Sequence, residues 1–158
     1  MAIDASKVPQ ITLPNGGSIP CIGMGTFGSD RVSAEEVAAA VAGAVRAGYR
    51  LFDCAACYGN EAQIGQVFQA AFDEGVVERK DLYIMTKVWN DMHRDVETAC
   101  RKSIADLRCG YVDIYFIHWP FPNYHAPHCD VDARNPDSKP FSVEEFLDTY
   151  RQCEALVD

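Results

Sequence analysis

Four times in succession a short apolar run gives way to a segment whose apolar residues recur at helical spacing, and this alternation restricts the chain more than any single motif. The runs are Cys21 to Thr26, the strand opening the stretch Leu51 to Glu61, Leu82 to Val88, and Val112 to Trp119. Parallel neighbours need crossover connections, so unbroken alternation with nearly continuous apolar strands predicts an α/β fold, a parallel sheet covered by helices. The helix signals agree. Ser33-Ala-Glu-Glu36 is a capping box ahead of Val37, Val41, Ala44 and Val45 on one face, with Gly48 as the stop. A second helix begins near Asn60, with Ile64, Val67, Phe68, Ala71 and Phe72 inward and Gly75 beyond. The third runs from Asp95 to Leu107 with Val96, Cys100, Ile104 and Leu107 inward, and Ser142-Val-Glu-Glu145 caps a fourth. A doubly wound open sheet and a series of barrel units both carry this pattern, and periodicity does not separate them.

Three consecutive strands finish on groups that hold or move a proton: Asp53, Lys87 and His118. Both architectures gather reactive groups at the carboxyl ends of their strands. An acid closing a strand that is otherwise buried is costly unless a cation pairs with it, which makes Lys87 the expected partner of Asp53. Tyr58 lies in the turn just past Asp53. A phenol has a reference pKa near 10, poorly matched to releasing a proton at neutral pH, but an ammonium within reach favours the phenolate. Lys87 can play that part, with Asp53 holding the lysine and His118 hydrogen-bonding a substrate oxygen without adding charge. Such a set suits carbonyl chemistry and needs a separate source of hydride or electrons. The plainer alternative is an Asp53–Lys87 ion pair at a strand rim, with Tyr58 and His118 turned to solvent or core. Phe27, Trp89 and Trp119 each follow a strand end and so ring the same rim, as substrate walls or as ordinary packing.

Other motifs carry less. GMGTFG is not the dinucleotide fingerprint with its acid about 20 residues later; its glycines let a backbone or ligand approach closely before Phe27. Cys54-Ala-Ala-Cys57 precedes its helix rather than opening it, unlike a thioredoxin-type pair. His125, His128 and Cys129 form a cluster with no second pair at zinc spacing, so no metal site is expected.

The chain has 158 residues, 48% of them hydrophobic, enough for one core. A formal charge of -9 argues against a nucleic-acid or anionic-membrane surface. Seven cysteines, an odd number scattered through strands and helices, read as reduced thiols in a cytoplasmic protein. Neither a signal peptide nor a membrane span is apparent. Pro14-Asn15-Gly16-Gly17 predicts a hairpin over residues 11–21, since Asn-Gly tolerates positive φ at both positions. Residues 120–140 hold five of the eight prolines and read as a long rim loop. The last residues carry no cap, so the chain is expected to end inside its fourth helix.

GMGTFG, GYRLFDCAACYGNEAQIG, MTKVW and YVDIYFIHWP follow one another in an order and spacing that resemble the aldo-keto reductase family over nearly the whole chain. The resemblance implies a (β/α)8 barrel of the TIM type whose bottom is closed by the N-terminal hairpin. It also implies reduction of aldehydes or ketones to alcohols by hydride from NADPH. Tyr58 would be the general acid, Lys87 its partner, Asp53 the anchor of that lysine and His118 the group orienting the carbonyl. Thr26 and Asp53 would touch the cofactor near its nicotinamide ribose, and Phe27, Trp89, His118 and Trp119 would line the substrate. Such a barrel needs about 250 residues, so only the hairpin and the first four β/α units are expected here. In the family the remaining half carries most cofactor contacts. Open barrel edges would then invite self-association. A non-catalytic nucleotide-sensing or interaction protein built on the same fold is the rival expectation.

Overall fold

The computed structural model describes residues 4–120 and 140–157. Nearly all of the expected rim loop, with His125, His128 and Cys129, lies outside the described residues.

The hairpin comes first along the chain. Strands β1 (Gln10–Thr12) and β2 (Ser18–Pro20) pair antiparallel, with Ile11 opposite Ile19. Its loop is longer than a two-residue turn. The Gly16 N–H donates to the Leu13 carbonyl and the Leu13 N–H to the Gly17 carbonyl, and only Gly16 takes a positive φ, at 85°. Asn15 contributes through its side chain instead, its Oδ1 accepting from the Gly17 N–H at 3.0 Å.

Four strands follow in a second sheet: β3 (Met24–Gly25), β4 (Leu51–Asp53), β5 (Tyr83–Val88) and β6 (Ile114–Ile117). They are parallel and stand side by side in chain order. That order decides between the two architectures. A doubly wound sheet reverses direction at a switch point, whereas strands added one after another by right-handed crossovers keep every helix on one face, as in a barrel. The connecting helices are α1 (Ala34–Arg46), α2 (Glu61–Asp73) and α3 (Val96–Leu107), and α4 (Val143–Glu154) comes after β6.

Local chemistry sets their ends. The Ser33 hydroxyl accepts from the Glu36 N–H while Glu36 reaches back to the Ser33 N–H, closing the expected capping box. Ser142 caps α4 by accepting from the Glu145 N–H. Contrary to the sequence expectation, α4 does not run to the end of the chain. It closes at Glu154, where the Leu156 and Val157 N–H groups turn back to the carbonyls three residues earlier and tighten the last turn.

The core lies between the sheet and the helices. Phe52, Ile64, Phe68, Leu82, Ile84 and Leu107 are fully buried there, and the Phe52 and Phe68 rings meet edge-to-face at 5.3 Å. Each such side chain contributes about 1.5 to 3 kcal/mol on removal from water. Burial is one-sided, however, and the near-continuous apolar character of the strands does not mean burial on both faces. Along β5, Ile84, Thr86 and Val88 are buried against helices, while Tyr83, Met85 and Lys87 on the other face are only half-buried. On β6 Phe116 remains 44% exposed. The face that a closed barrel would turn inward is thus open among the described residues. No described helix is long and apolar enough to cross a membrane.

Candidate active site

The strand ends place the reactive groups side by side. β4 finishes on Asp53, and the Cys54 N–H continues its ladder by donating to the Met85 carbonyl. A 3-10 turn at Ala56–Tyr58, closed by Gly59 at φ 67°, then swings Tyr58 back over the sheet. Lys87 is the next-to-last residue of β5, and His118 follows β6, its backbone N–H donating to the Val88 carbonyl.

Lys87 Nζ donates to Asp53 Oδ1 at 2.6 Å, to the Cys54 carbonyl at 2.7 Å and to Tyr58 Oη at 3.3 Å. An ammonium has three N–H donors, and each finds an oxygen. Burial pulls the lysine pKa down, but the bonds from Asp53 and Tyr58 outweigh it and leave the pKa above its ordinary value, so the group stays charged. The lysine side chain is 13% exposed and that of Asp53 41%, so the pair sits at a rim with its acid partly open. The ammonium also lies 4.9 Å from the centre of the Tyr58 ring.

His118 completes the group. Its ring meets Tyr58 edge-on at 5.7 Å and Trp89 at 5.1 Å. Burial, helped by the charge of Lys87 and opposed by Asp53, lowers its pKa to about 4. It is therefore neutral at physiological pH, able to donate from one nitrogen and accept at the other. Asp53, Tyr58, Lys87 and His118 thus converge, and the alternative of a plain ion pair with Tyr58 and His118 turned elsewhere does not describe the geometry.

The aromatic residues divide. Phe27 is exposed and packs on Tyr58 with ring centres 5.1 Å apart; Trp119 is exposed and meets Trp89 edge-on at 6.2 Å. Trp89 is only 8% exposed, so it backs His118 and Trp119 rather than forming an open wall. Thr26 is 1% exposed, and both its hydroxyl and its N–H donate to the Asp53 carbonyl at 3.0 Å. Its side chain thus braces the backbone at Asp53.

Three residues that the sequence reading did not single out support the site. The Asn60 amide donates to the Thr26 carbonyl at 2.8 Å, joining the tyrosine turn to β3. The Glu61 carboxylate accepts from Thr86 and Ser103. Cys57, weighed only as half of a thiol pair, has its Sγ 3.5 Å from His118 Nδ1. Burial pushes the Cys54 and Cys57 thiols up to about 12, so neither is a reactive thiolate. The available signal was the short spacing from Tyr58, but an acid in the first turn of a helix and a small residue in a loop have ordinary explanations too.

The sequence model of the Aldo/keto reductase family matches residues 21–158. This chain belongs to that family. It is 42% identical over 148 residues to the aldose reductase of Encephalitozoon cuniculi, covering 92% of this chain and 48% of the relative. Against aldo-keto reductase family 1 member A1 of Gallus gallus it is 40% identical over 152 residues, covering 94% and 45%. A crystal structure of a Bombyx mori aldo-keto reductase in complex with NADP superposes with a TM-score of 0.74 at 34% identity, covering 94% of this chain and 47% of that one. The chain therefore spans about half the length of the curated relatives it matches, and its fold is part of the (β/α)8 barrel of this family.

Proposed function

We propose that this chain carries the proton-donating half of an NADPH-dependent aldo-keto reductase that reduces aldehydes or ketones to alcohols. The observation that supports it most is the position of Lys87 Nζ between Asp53 and the Tyr58 hydroxyl. When bound, the cofactor supplies a hydride to the carbonyl carbon. Tyr58 Oη gives its proton to the carbonyl oxygen as the π pair moves there, and the ammonium 3.3 Å away stabilises the phenolate left behind. Asp53 keeps the lysine in place. His118, uncharged, directs the carbonyl oxygen toward Tyr58, and exposed Phe27 and Trp119 offer an apolar wall that suits a carbonyl compound of low polarity. The residues present fit the ribose end of the cofactor: Asp53 is partly open, with one carboxylate oxygen committed to Lys87 and the other available to accept from a ribose hydroxyl.

Family membership, and the complex of the Bombyx mori relative with NADP, support the cofactor reading. Free thiols at Cys21, Cys54, Cys57, Cys100, Cys109 and Cys153 support a reducing, cytoplasmic setting. The outer edges of β3 and β6, unpaired among the described residues, and the exposed Phe116 support self-association. The deciding experiment titrates NADPH fluorescence against the chain, alone and mixed with a separately expressed C-terminal half of a relative, and then adds an aldehyde. Quenching and aldehyde-dependent loss of NADPH in the mixture are expected. No binding in either arm would leave the fold without this function.

A further inference from the structure

The Cys57–His118 contact has no part in the scheme above. Its sulfur lies at the edge of the site, 3.5 Å from Nδ1, the ring nitrogen on one side of the imidazole. A neutral imidazole carries a single proton, and which nitrogen holds it is set by the hydrogen bond made at the other. From this geometry we infer that Cys57 is a positioning residue whose S–H donates to His118 Nδ1 and thereby places the ring proton on Nε2.

The inference rests on the carbonyl-reduction reading for its consequence, though not for its geometry. Burial keeps the thiol protonated, so it arrives as a donor, and the same burial keeps the imidazole neutral and therefore able to accept. A carbonyl oxygen offers only lone pairs, so the ring nitrogen that meets it must carry a hydrogen. With Nδ1 engaged by Cys57, Nε2 is the nitrogen left to donate. The opposite tautomer would direct Nδ1–H at sulfur, a weak acceptor, and turn a lone pair toward the substrate oxygen, which repels it. Trp89 and Tyr58 hold the ring edge-on from two sides, so the imidazole is not free to exchange its nitrogens by rotation. The nearby Cys54 does not substitute for this role. It is fully buried, and what it offers the site is its carbonyl, which accepts from Lys87.

Ring-15N-histidine labelling of the chain and long-range 1H–15N correlation at neutral pH read the tautomer directly, with His118 assigned by the signal lost in His118→Gln. The wild type is expected to show the proton on Nε2. Cys57→Ala is expected to mix the two tautomers, and Cys57→Ser, which restores a donor, to return the single form. Where reductase activity is reconstituted, Cys57→Ala lowers kcat by about 2- to 10-fold, the equilibrium worth of one neutral hydrogen bond, with the cofactor Kd unchanged, and Cys57→Ser recovers it. A wild-type proton on Nδ1 overturns the assignment outright, whether or not either variant folds, and so does a Cys57→Ala spectrum identical to wild type. Because the spectrum needs neither cofactor nor substrate, absence of turnover would count against carbonyl reduction alone and leave the tautomer to its own result.

Discussion

Glu61 and Thr86 are joined by a 2.6 Å hydrogen bond, the threonine hydroxyl donating to Oε1 in the buried layer between α2 and the sheet. The other carboxylate oxygen accepts from Ser103 on α3 at 2.9 Å. Glu61 stands three residues after Tyr58, and Thr86 immediately precedes Lys87. This acid therefore ties the segment carrying the phenol to the strand carrying the ammonium, whose reactive atoms stand 3.3 Å apart.

Burial raises the Glu61 pKa above the ordinary carboxyl value, and the bonds from Thr86 and Ser103 only partly offset it. The folded state thus holds a proton at pH values where the unfolded chain has released it. Its contribution to stability is complete below about 4.5 and is lost as pH rises through the folded value. His118 runs the other way: with its folded pKa lowered to about 4, its contribution is complete above about 6.5 and lost as pH falls. Urea denaturation of wild type and Glu61→Gln across this range separates the two, because the His118 part cancels in the difference. Glu61→Gln is expected to gain on wild type as pH rises; a difference that shrinks with rising pH would mean that the acid is ionised and well paired.

Tyr58→Phe removes the hydroxyl and leaves the ring that packs on Phe27. Carbonyl reduction in the reconstituted system is expected to fall by about 100- to 10,000-fold, the range for a lost general acid, while NADPH affinity stays within twofold. Turnover that survives the substitution would remove Tyr58 from the reaction.

The strand ends were legible because chemistry and topology agree there. Asp53 and Lys87 are costly in half-buried strands unless paired, and a parallel sheet brings successive strand ends together, so the pairing followed from residue type and position. The choice of barrel over open sheet did not follow from periodicity, because crossover helices look alike in both; the family motifs implied the barrel, and the side-by-side order of β3 to β6 agrees with it. The bracing part of Thr26 was not legible for a related reason: a hydroxyl at a strand end serves a ligand or a neighbouring carbonyl equally well, and here its proton goes to the Asp53 carbonyl. Cys57 was read only as half of a thiol pair, because its partner lies 61 positions away, just past β6.

Asp53→Asn tests the lysine from its other side. Burial pulls the Lys87 pKa down, and the bond to Asp53 leads what holds it up, followed by the bond to Tyr58 and the charge of Asp53. Without that charge the pKa falls, and the ammonium is lost at lower pH. The alkaline limb of kcat/KM is therefore expected to move toward neutral pH, with a smaller change at the acid end. An alkaline limb that stays in place would show that Lys87 does not govern the proton donor.

The approach of α2 to α3 sets the frame in which Glu61 meets Ser103, and Gly65 permits it. A Cβ built at Gly65 would stand 2.0 Å from the Asp106 carbonyl oxygen and 2.7 Å from the Leu107 carbonyl carbon, both backbone atoms that no rotamer change can withdraw. Two opposing effects decide the outcome of Gly65→Ala. Alanine favours the helix by about 1 kcal/mol, whereas forcing an extra carbon into a packed contact costs about 1 to 3 kcal/mol and more when only backbone can yield. The clash wins, so the variant is expected to lose stability in urea, and the Glu61–Ser103 bond should weaken as the helices separate. Gly43 on α1 is the matched control. A Cβ there meets nothing within 4 Å, so Gly43→Ala keeps only the helix preference and is expected to gain up to about 1 kcal/mol. If Gly65→Ala gained as much as Gly43→Ala, the two helices would have to pack farther apart than this structure places them.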